Sequence, residues 1–312
     1  MQDYVNDHGY IAVGDGHELY FEDWGNPNGE PIISLHGGPG AMFTDSHKAI
    51  FDPLKHRVIF YDQRGCGRSK PFASTTHNTT QDLVDDIEKI RKKFGFETMH
   101  VAGGSWGSAL ALFYAIAYPA HVKSLLIWSV FLAEQFDTNW VNEGYSRYHF
   151  PAEWARFISH VPKTRRMSGD SIMHYYAAQM RSNDTKRATL FALEWALWEA
   201  TLMSISYDPI ETENEVRTDP DTLSLALLET HYFLHHCFVP KNYIRKNLDK
   251  ITHIRCTIIQ GRFDMCTPPV NAYELAKVYG ENAHLAFVNS GHRRSDPEMM
   301  AALQESALVQ LV

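Results

Sequence analysis

The chain has 312 residues, of which 44% are hydrophobic and 21% are charged, so it can bury a large core and is not expected to be disordered. Its formal net charge is −8, and the longest unbroken run of Lys and Arg is the short segment 91–93, which argues against a nucleic-acid-binding protein. The length fits one domain that carries an inserted subdomain.

The N-terminal segment has no basic start and no apolar run, so we expect no signal peptide. No stretch of apolar residues is long enough to predict a membrane span. The four cysteines, Cys66, Cys237, Cys256 and Cys266, follow no pairing pattern. This usage favours reduced thiols and a cytoplasmic protein.

Strand and helix patterns alternate through the first 130 residues. A hairpin is predicted over 10–25 with its turn at Asp15. The elements that follow are strands over 31–37 and 57–63, a helix over 79–95, a strand over 99–104, a helix closed by Pro119 and a strand over 122–128. This βαβ order predicts a mainly parallel sheet with helices on both faces.

The pattern changes after residue 131, where helical segments rich in aromatic residues replace the strands. Alternation returns with a strand over 256–264, a helix around 268–279, a strand over 284–292 and a helix from about 296. We therefore predict an α/β core formed by residues 1–133 and 251–312, with a helical cap inserted over 134–250.

A single serine stands among glycines between a predicted strand and a predicted helix, in Gly103-Gly104-Ser105-Trp106-Gly107. This segment matches G-x-S-x-G, in which the serine sits on a strained strand-to-helix turn. The N-terminus of the following helix would face the negative charge that develops during attack. Ser105 is therefore the predicted nucleophile, with an ordinary small-residue turn as the alternative.

A serine hydroxyl needs a base to become a good nucleophile. The chain has 17 histidines, so the presence of a histidine does not by itself identify this base. In sheets of this type, active groups follow the carboxyl ends of strands. His292 follows the last predicted strand and Asp264 the strand before it. The chain order Ser105, Asp264, His292 is that of the α/β-hydrolase fold. Glu134 is a second candidate for the acid, and a surface histidine with a turn-forming aspartate is the structural alternative.

The glycine-rich segment HGGPG, at 36–40, follows the predicted strand 31–37. A loop in this place supplies one donor of the oxyanion hole in α/β hydrolases. We expect the backbone N–H groups of Gly38 and Trp106 to be the two donors, since Pro39 has no N–H. A plain turn is the alternative.

Several segments together closely resemble the proline iminopeptidases, which are serine peptidases of the α/β-hydrolase fold. They are HGGPG, DQRGCGRS at 62–69, NTTQDLVDDIEKIR at 78–91, GGSWGS at 103–108, GRFDMCTP at 261–268 and SGH at 290–292. The resemblance runs from about residue 15 to 300. It implies an enzyme that removes N-terminal proline from short peptides through an acyl-enzyme, without a metal or other cofactor.

The resemblance also implies roles for two glutamates of the cap. Trp195-Ala196-Leu197-Trp198-Glu199 and the segment 229–233 fit family patterns in which a glutamate binds the free amine, so Glu199 and Glu229 are the implied amine binders. Two carboxylates facing one apolar cavity would repel, and a bound ammonium would relieve both. A solvated helix face or an arginine partner is the alternative.

The aromatic residues Phe131, Trp140, Tyr145 and Tyr148 are candidates for a pocket that holds the pyrrolidine ring, although such residues often pack only on one another. A zinc site is a separate possibility at His231, His235 and His236, because histidines spaced i, i+4 can bind zinc. However, no further ligand with convincing spacing accompanies the i, i+4 pair, and no H-E-x-x-H occurs. We therefore expect no metal.

Two further expectations concern the loops around the site. Arg64 and Cys66 are expected to shape the loop over it, and Cys266 lies close enough in sequence to Asp264 for thiol reagents to inhibit by crowding. The segment after His292 departs from the family, which often has small and acidic residues there.

Here Arg293 and Arg294 follow the histidine, so the substrate preference and the pKa of His292 stay open. An esterase or amidase for a small non-peptide substrate is the first alternative function. A non-catalytic binding protein is the second.

Overall fold

The computed structural model describes residues 4–311, and within this range eight strands form a single sheet. The strands are β1 Val5–Gly14, β2 His17–Gly25, β3 Glu30–Leu35, β4 His56–Tyr61, β5 Met99–Ser105, β6 Val122–Val130, β7 Arg255–Gly261 and β8 Ala283–Val288. Their order is β1-β2-β4-β3-β5-β6-β7-β8. The β1–β2 and β2–β4 pairs are antiparallel, whereas β4, β3, β5, β6, β7 and β8 run parallel.

Twelve α-helices accompany the sheet in the described range. They are α1 Asp45–Lys48, α2 Thr80–Lys93, α3 Trp106–Ala117, α4 Gln135–Asn142, α5 Pro151–Ser159, α6 Gly169–Met180, α7 Thr185–Met203, α8 Pro209–Thr218, α9 Thr222–Leu234, α10 Tyr243–Asn247, α11 Val270–Tyr279 and α12 Pro297–Gln310. None of the helices described is both long and apolar enough to span a membrane.

The central strands are apolar on both sides because each face of the sheet packs on helices. In β4, Ile59 and Tyr61 join a hydrophobic cluster with residues of α2, α3 and α11. Val58 and Phe60, which alternate with them, join a second cluster with residues of α12. Burial on both faces explains the nearly continuous apolar runs that predicted a parallel sheet. The predicted fold class is confirmed.

Element ends differ from prediction mainly at the sheet edges. Strand β1 begins at Val5 and not at residue 10, because the edge strand pairs with β2 from Val5 onward while its first residues point to solvent. A half-solvated strand lacks the apolar run on which the prediction rested. Strand β8 ends at Val288, so that the segment leading to His292 is a loop.

Seven of the described α-helices, α4 to α10, lie between β6 and β7. Their aromatic residues form a hydrophobic cluster that is distinct from the two clusters on the sheet. Members of this cluster include Trp154, Phe157, Tyr176, Phe191, Trp195 and Trp198. Helices α7 and α9 pack against each other within the region, which brings two distant segments of the chain side by side.

The loop after β4 is fixed by a buried ion pair. The Arg64 side chain is 1% exposed, and its Nε and Nη2 donate to Asp86 Oδ2 and Oδ1 of α2 at 2.6 and 2.9 Å. Its Nη1 donates to the carbonyl of His77 at 2.6 Å. The thiol of Cys66 donates to the Arg64 carbonyl at 3.4 Å. Arg64 and Cys66 therefore shape the loop after β4, whereas a position of this loop over the site stays a prediction.

Candidate active site

Ser105 lies where β5 turns into α3, with φ 57° and ψ −126°. A positive φ is strained for a residue with a side chain, and such strain is found at functional sites. A Cβ added at Gly103 would lie 2.4 Å from the Gly107 carbonyl oxygen, and one at Gly107 would lie 2.3 Å from the Leu35 carbonyl oxygen. The glycines are therefore required by the close approach of backbone to the serine turn.

Asp264 and His292 are in contact, as their positions after β7 and β8 predict. His292 Nδ1 lies 3.0 Å from Asp264 Oδ1 and 2.9 Å from Oδ2, and both residues are buried. Because a carboxylate can only accept, the ring presents N–H at Nδ1 and leaves Nε2 for the other side. Such contact fixes the tautomer that a general base needs.

Besides His292, four donors hold Asp264 in place. Its Oδ1 accepts from the backbone N–H groups of Cys266 and Thr267 at 2.9 and 2.8 Å. Its Oδ2 accepts from Thr267 Oγ1 at 2.8 Å and from Gln260 Nε2 at 3.2 Å. Thr267 and Gln260 could not be identified from the sequence, because hydrogen-bond partners follow from the folded loop and not from spacing.

Burial opposes protonation of His292, but the charge and hydrogen bond of Asp264 outweigh it and raise the pKa of His292 above its ordinary value. Glu134, the second candidate acid, lies elsewhere. Its Oε1 accepts from Arg245 Nε of α10 at 2.8 Å. Of the two candidate acids, only Asp264 is bonded to His292 in the described part of the chain.

Two cavities meet at Ser105. The smaller, of about 50 Å³, is lined by Phe131, Trp195, Trp198, Glu199, Glu229 and Phe233, among others. The larger, of about 350 Å³, is lined by His292 and by the segments that follow β3 and β8. Gly38, Ser105 and Glu199 line both.

Ser105 and His292 thus face the same space. Among the residues described, no hydrogen bond joins Ser105 Oγ to the His292 ring. Contacts of this kind often tighten only when substrate binds.

The predicted oxyanion donors lie on either side of Ser105. Trp106 is the first residue of α3, so its N–H belongs to the free N–H groups of a helix start. The HGGPG loop packs on the serine, since a Cβ added at Gly37 would lie 3.3 Å from the Ser105 Cβ. Gly38, with φ +106°, lines both cavities. The two backbone segments that carry the predicted donors therefore both lie next to Ser105.

Glu199 and Glu229 come together on helices α7 and α9. The Glu229 side chain is buried, and its Oε2 accepts from Trp195 Nε1 at 2.6 Å. Glu199 Oε2 is buried and has no hydrogen-bond partner among the described residues. Burial raises the pKa of both carboxyls, and the neighbouring Glu199 raises that of Glu229 further. A cation that entered the cavity would stabilise both as carboxylates.

The aromatic candidates separate into two groups. Phe131 lines the smaller cavity. Trp140 stacks on Tyr145 with ring centroids 5.6 Å apart, and its Nε1 donates to the Met265 carbonyl. Tyr145 and Tyr148 are exposed, and none of these three lines either cavity at Ser105. Trp140, Tyr145 and Tyr148 thus pack mainly with neighbours or face solvent. This agrees with the alternative prediction, in which the aromatic residues do not form a pocket.

The cavity wall is supplied instead by Trp195 and Trp198 of α7. These tryptophans lie four residues and one residue before Glu199. Helical spacing places residues four apart on one face. That spacing was the signal that could have identified Trp195.

Possible metal ligands come together at one place in the described part of the chain. Ligand atoms of Asp264, Cys266 and His292 lie within 4.8 Å of one another. Burial raises the pKa of the Cys266 thiol well above its ordinary value, which disfavours the thiolate that a metal would need. At the other candidate, His231 Nε2 and His235 Nδ1 contact the backbone carbonyls of Asn78 and His231 at 2.9 and 2.7 Å.

Comparison with known proteins identifies the class. Residues 30–293 match the family model of the α/β hydrolase fold. The structure superposes on an esterase from Exiguobacterium antarcticum with a TM-score of 0.60 at 18% identity, covering 97% of this chain and 98% of the other. A proline iminopeptidase-related protein from Thermus thermophilus gives 0.62 at 19% identity, with full coverage of both. The chain is an α/β hydrolase.

Proteins that are similar in sequence identify the family within the α/β hydrolases. A proline iminopeptidase of Neisseria meningitidis serogroup A is 40% identical over 301 residues, which cover 96% of this chain and 94% of the relative. One from Arabidopsis thaliana is 37% identical, covering 95% of this chain and 77% of the relative. The chain belongs to the proline iminopeptidase family.

Proposed function

We propose that this chain is a serine aminopeptidase that releases N-terminal proline from peptides through an acyl-enzyme. The observation that carries the proposal is the pair of carboxyls, Glu199 and Glu229, buried beside Ser105 in the smaller cavity. An esterase for neutral acyl groups would have no use for two acids there. The family relationship points to the same activity.

Recognition of a free amine follows from the charge in this cavity. A secondary ammonium would donate to the unpartnered Glu199 Oε2, and its charge would favour the ionised form of two carboxyls whose pKa values burial raises. An amide nitrogen carries no charge and offers at most one N–H. The site should therefore bind an unblocked N-terminus and discriminate against an acylated one.

The same cavity suits the pyrrolidine ring. Its volume is only about 50 Å³, and Phe131, Trp195, Trp198 and Phe233 give it an apolar wall. A compact apolar ring would displace water there, whereas a long or charged first side chain would not fit. The cavity therefore supports a preference for proline at the first position.

Chemistry would proceed at the junction of the two cavities. Ser105 Oγ attacks the prolyl carbonyl while His292 Nε2 takes its proton, and Asp264 stabilises the imidazolium. The N–H groups of Gly38 and Trp106 stabilise the oxyanion. His292 then protonates the leaving amine, which departs into the larger cavity. Water, activated by His292, releases proline from Ser105.

Turnover of matched substrates tests the proposal. Proline p-nitroanilide and N-acetylproline p-nitroanilide differ only in the charge and donors at the ring nitrogen. We expect efficient cleavage of the first and at least a hundredfold lower kcat/KM for the second, because about 3 kcal/mol of charge-assisted hydrogen bonding is lost. Equal turnover of both would remove amine recognition and leave a general esterase or amidase.

The proposal extends to organisation and location. We propose that 1–133 and 251–312 form the hydrolase core and that 134–250 form a cap, supported by the helical content between β6 and β7 and its own hydrophobic cluster. We also propose a cytoplasmic location, supported by four cysteines that are all free.

A further inference from the structure

The loop that follows His292 carries two arginines with different surroundings. Arg293 Nη2 donates to Glu215 Oε2 of α8 at 2.8 Å, so its charge is matched within the protein. Arg294 forms no ion pair with a carboxylate among the described residues. Both side chains line the larger cavity together with Ser105. Arg294 therefore brings an uncompensated positive charge to the wall of this cavity.

The guanidinium of Arg294 is positioned by neutral groups. Its Nη2 donates to Ser46 Oγ at 2.7 Å and lies 3.2 Å from His47 Nδ1, and its Nε donates to the Ser46 carbonyl at 3.3 Å. Nη1 makes no hydrogen bond to any described residue. Burial lowers the pKa of Arg294 to about 10, so the group is still charged at neutral pH. A half-buried, oriented cation with a free N–H pair is suited to bind an anion.

Other charges in the cavity do not compete for this role. Burial lowers the pKa of His47 well below its ordinary value, with Arg294 adding to the effect, so His47 is neutral. Glu215 is engaged by Arg293, and Asp219 lies at the exposed rim, where its Oδ1 accepts from the Asp221 N–H. Of the two arginines that line this cavity, Arg294 alone has no carboxylate partner among the described residues.

We propose that Arg294 binds the C-terminal carboxylate of short peptides, so that this enzyme favours dipeptides and tripeptides that begin with proline. The inference rests on the proposed function, in which the first residue fills the smaller cavity and the leaving peptide lies in the larger one. Arg294 lines the same cavity as Ser105 and His292. Each residue of an extended leaving peptide spans about 3.5 Å, so a leaving group of one or two residues would carry its carboxylate into this cavity.

The test compares prolyl-alanine with prolyl-alaninamide, which differ in the terminal carboxylate alone. We expect the wild-type kcat/KM for the free acid to exceed that for the amide by roughly tenfold or more, the usual effect of a hydrogen-bonded charge pair. In R294M the ratio falls to about one. R294K, which keeps the positive charge but lacks the planar guanidinium with its paired N–H donors, retains part of the preference for the free acid. R187M, which removes an exposed arginine of α7, keeps the wild-type ratio.

The possible outcomes distinguish the role of Arg294 from the proposed prolyl peptidase activity. The amide serves as the internal reference for every variant, so a change in overall activity does not affect the ratio. A wild-type ratio near one, or an R294M ratio equal to that of wild type, would overturn the role of Arg294 while the prolyl peptidase stands. R294K behaving as R294M would overturn recognition by charge. Failure of the wild type to cleave either substrate would overturn both proposals.

Discussion

His292 Nδ1 contacts both carboxylate oxygens of Asp264, at 3.0 and 2.9 Å, although the two residues lie 28 positions apart in the chain. The contact joins the loops after β7 and β8, the last two strands of the sheet. Parallel pairing of these strands places their carboxyl ends side by side. The acid–base pair is therefore a consequence of sheet topology.

This contact predicts a large effect of D264N on turnover. The amide could donate to Nδ1 and favour the wrong tautomer, so we expect kcat for proline p-nitroanilide to fall by about 10³ to 10⁴-fold. E134Q, which alters the other candidate acid and its ion pair with Arg245, should leave kcat within about twofold. A larger loss in E134Q than in D264N would show that the acid is assigned wrongly.

The raised pKa of His292 predicts how reactivity depends on pH. Below this pKa the ring is protonated and cannot accept the Ser105 proton, so reactivity rises as the pH passes upward through it. The rate of inactivation by a fluorophosphonate isolates this group, because the reagent carries no amine for Glu199 and Glu229. We expect the rising limb to have its midpoint above 6.5. A midpoint clearly below that value would contradict the influence of Asp264.

Substitution of the paired acids should lower selectivity for a free N-terminus. In E199Q and in E229Q we expect the ratio of kcat/KM for proline p-nitroanilide over its N-acetyl form to fall about 10 to 100-fold, because a charged acceptor is replaced by a neutral amide. E194Q is the matched control on α7, since Glu194 is paired with Arg156 at 2.7 Å. If E194Q lowered the ratio as much, the effect would belong to the helix and not to the acids.

The buried pair of Arg64 and Asp86 predicts a stability effect that is independent of catalysis. R64M leaves the Asp86 carboxylate buried without its main partner, and we expect the free energy of unfolding to fall by about 3–5 kcal/mol. R217M breaks an exposed pair with Glu213 and should cost less than about 1 kcal/mol. Urea unfolding of both variants measures the difference. Similar losses of unfolding free energy in R64M and R217M would show that burial does not increase the contribution of the Arg64–Asp86 pair to stability.

Much of the core could be predicted because its signals are local. Apolar runs that end in glycine give β3, β4 and β5, and the chain order of Ser105, Asp264 and His292 follows from the loops after strands. The four helices with predicted bounds, α2, α3, α11 and α12, agree with the structure to within two residues, whereas the hairpin begins five residues earlier than predicted.

The helical region between β6 and β7 could be predicted less well, because packing among amphipathic helices is not encoded locally. Helical periodicity does not say how α4 rotates against its neighbours, so Trp140 and Tyr145 were plausible pocket residues although they stack on each other. The meeting of Glu199 with Glu229 depends on the pairing of α7 with α9, and it was implied only by family resemblance. The unmatched charge of Arg294 required the folded positions of Ser46 and Glu215.

The most direct test of the account is the site and consequence of covalent labelling. The protein is titrated with a fluorophosphonate, the modified residue is located by peptide mapping, and remaining turnover of proline p-nitroanilide is measured at each step. We predict one label per chain on Ser105, with turnover lost in proportion to labelling and an excess of a prolyl substrate slowing the reaction. Full prolyl turnover by labelled protein, or a label on another residue that accounts for the loss, would contradict it.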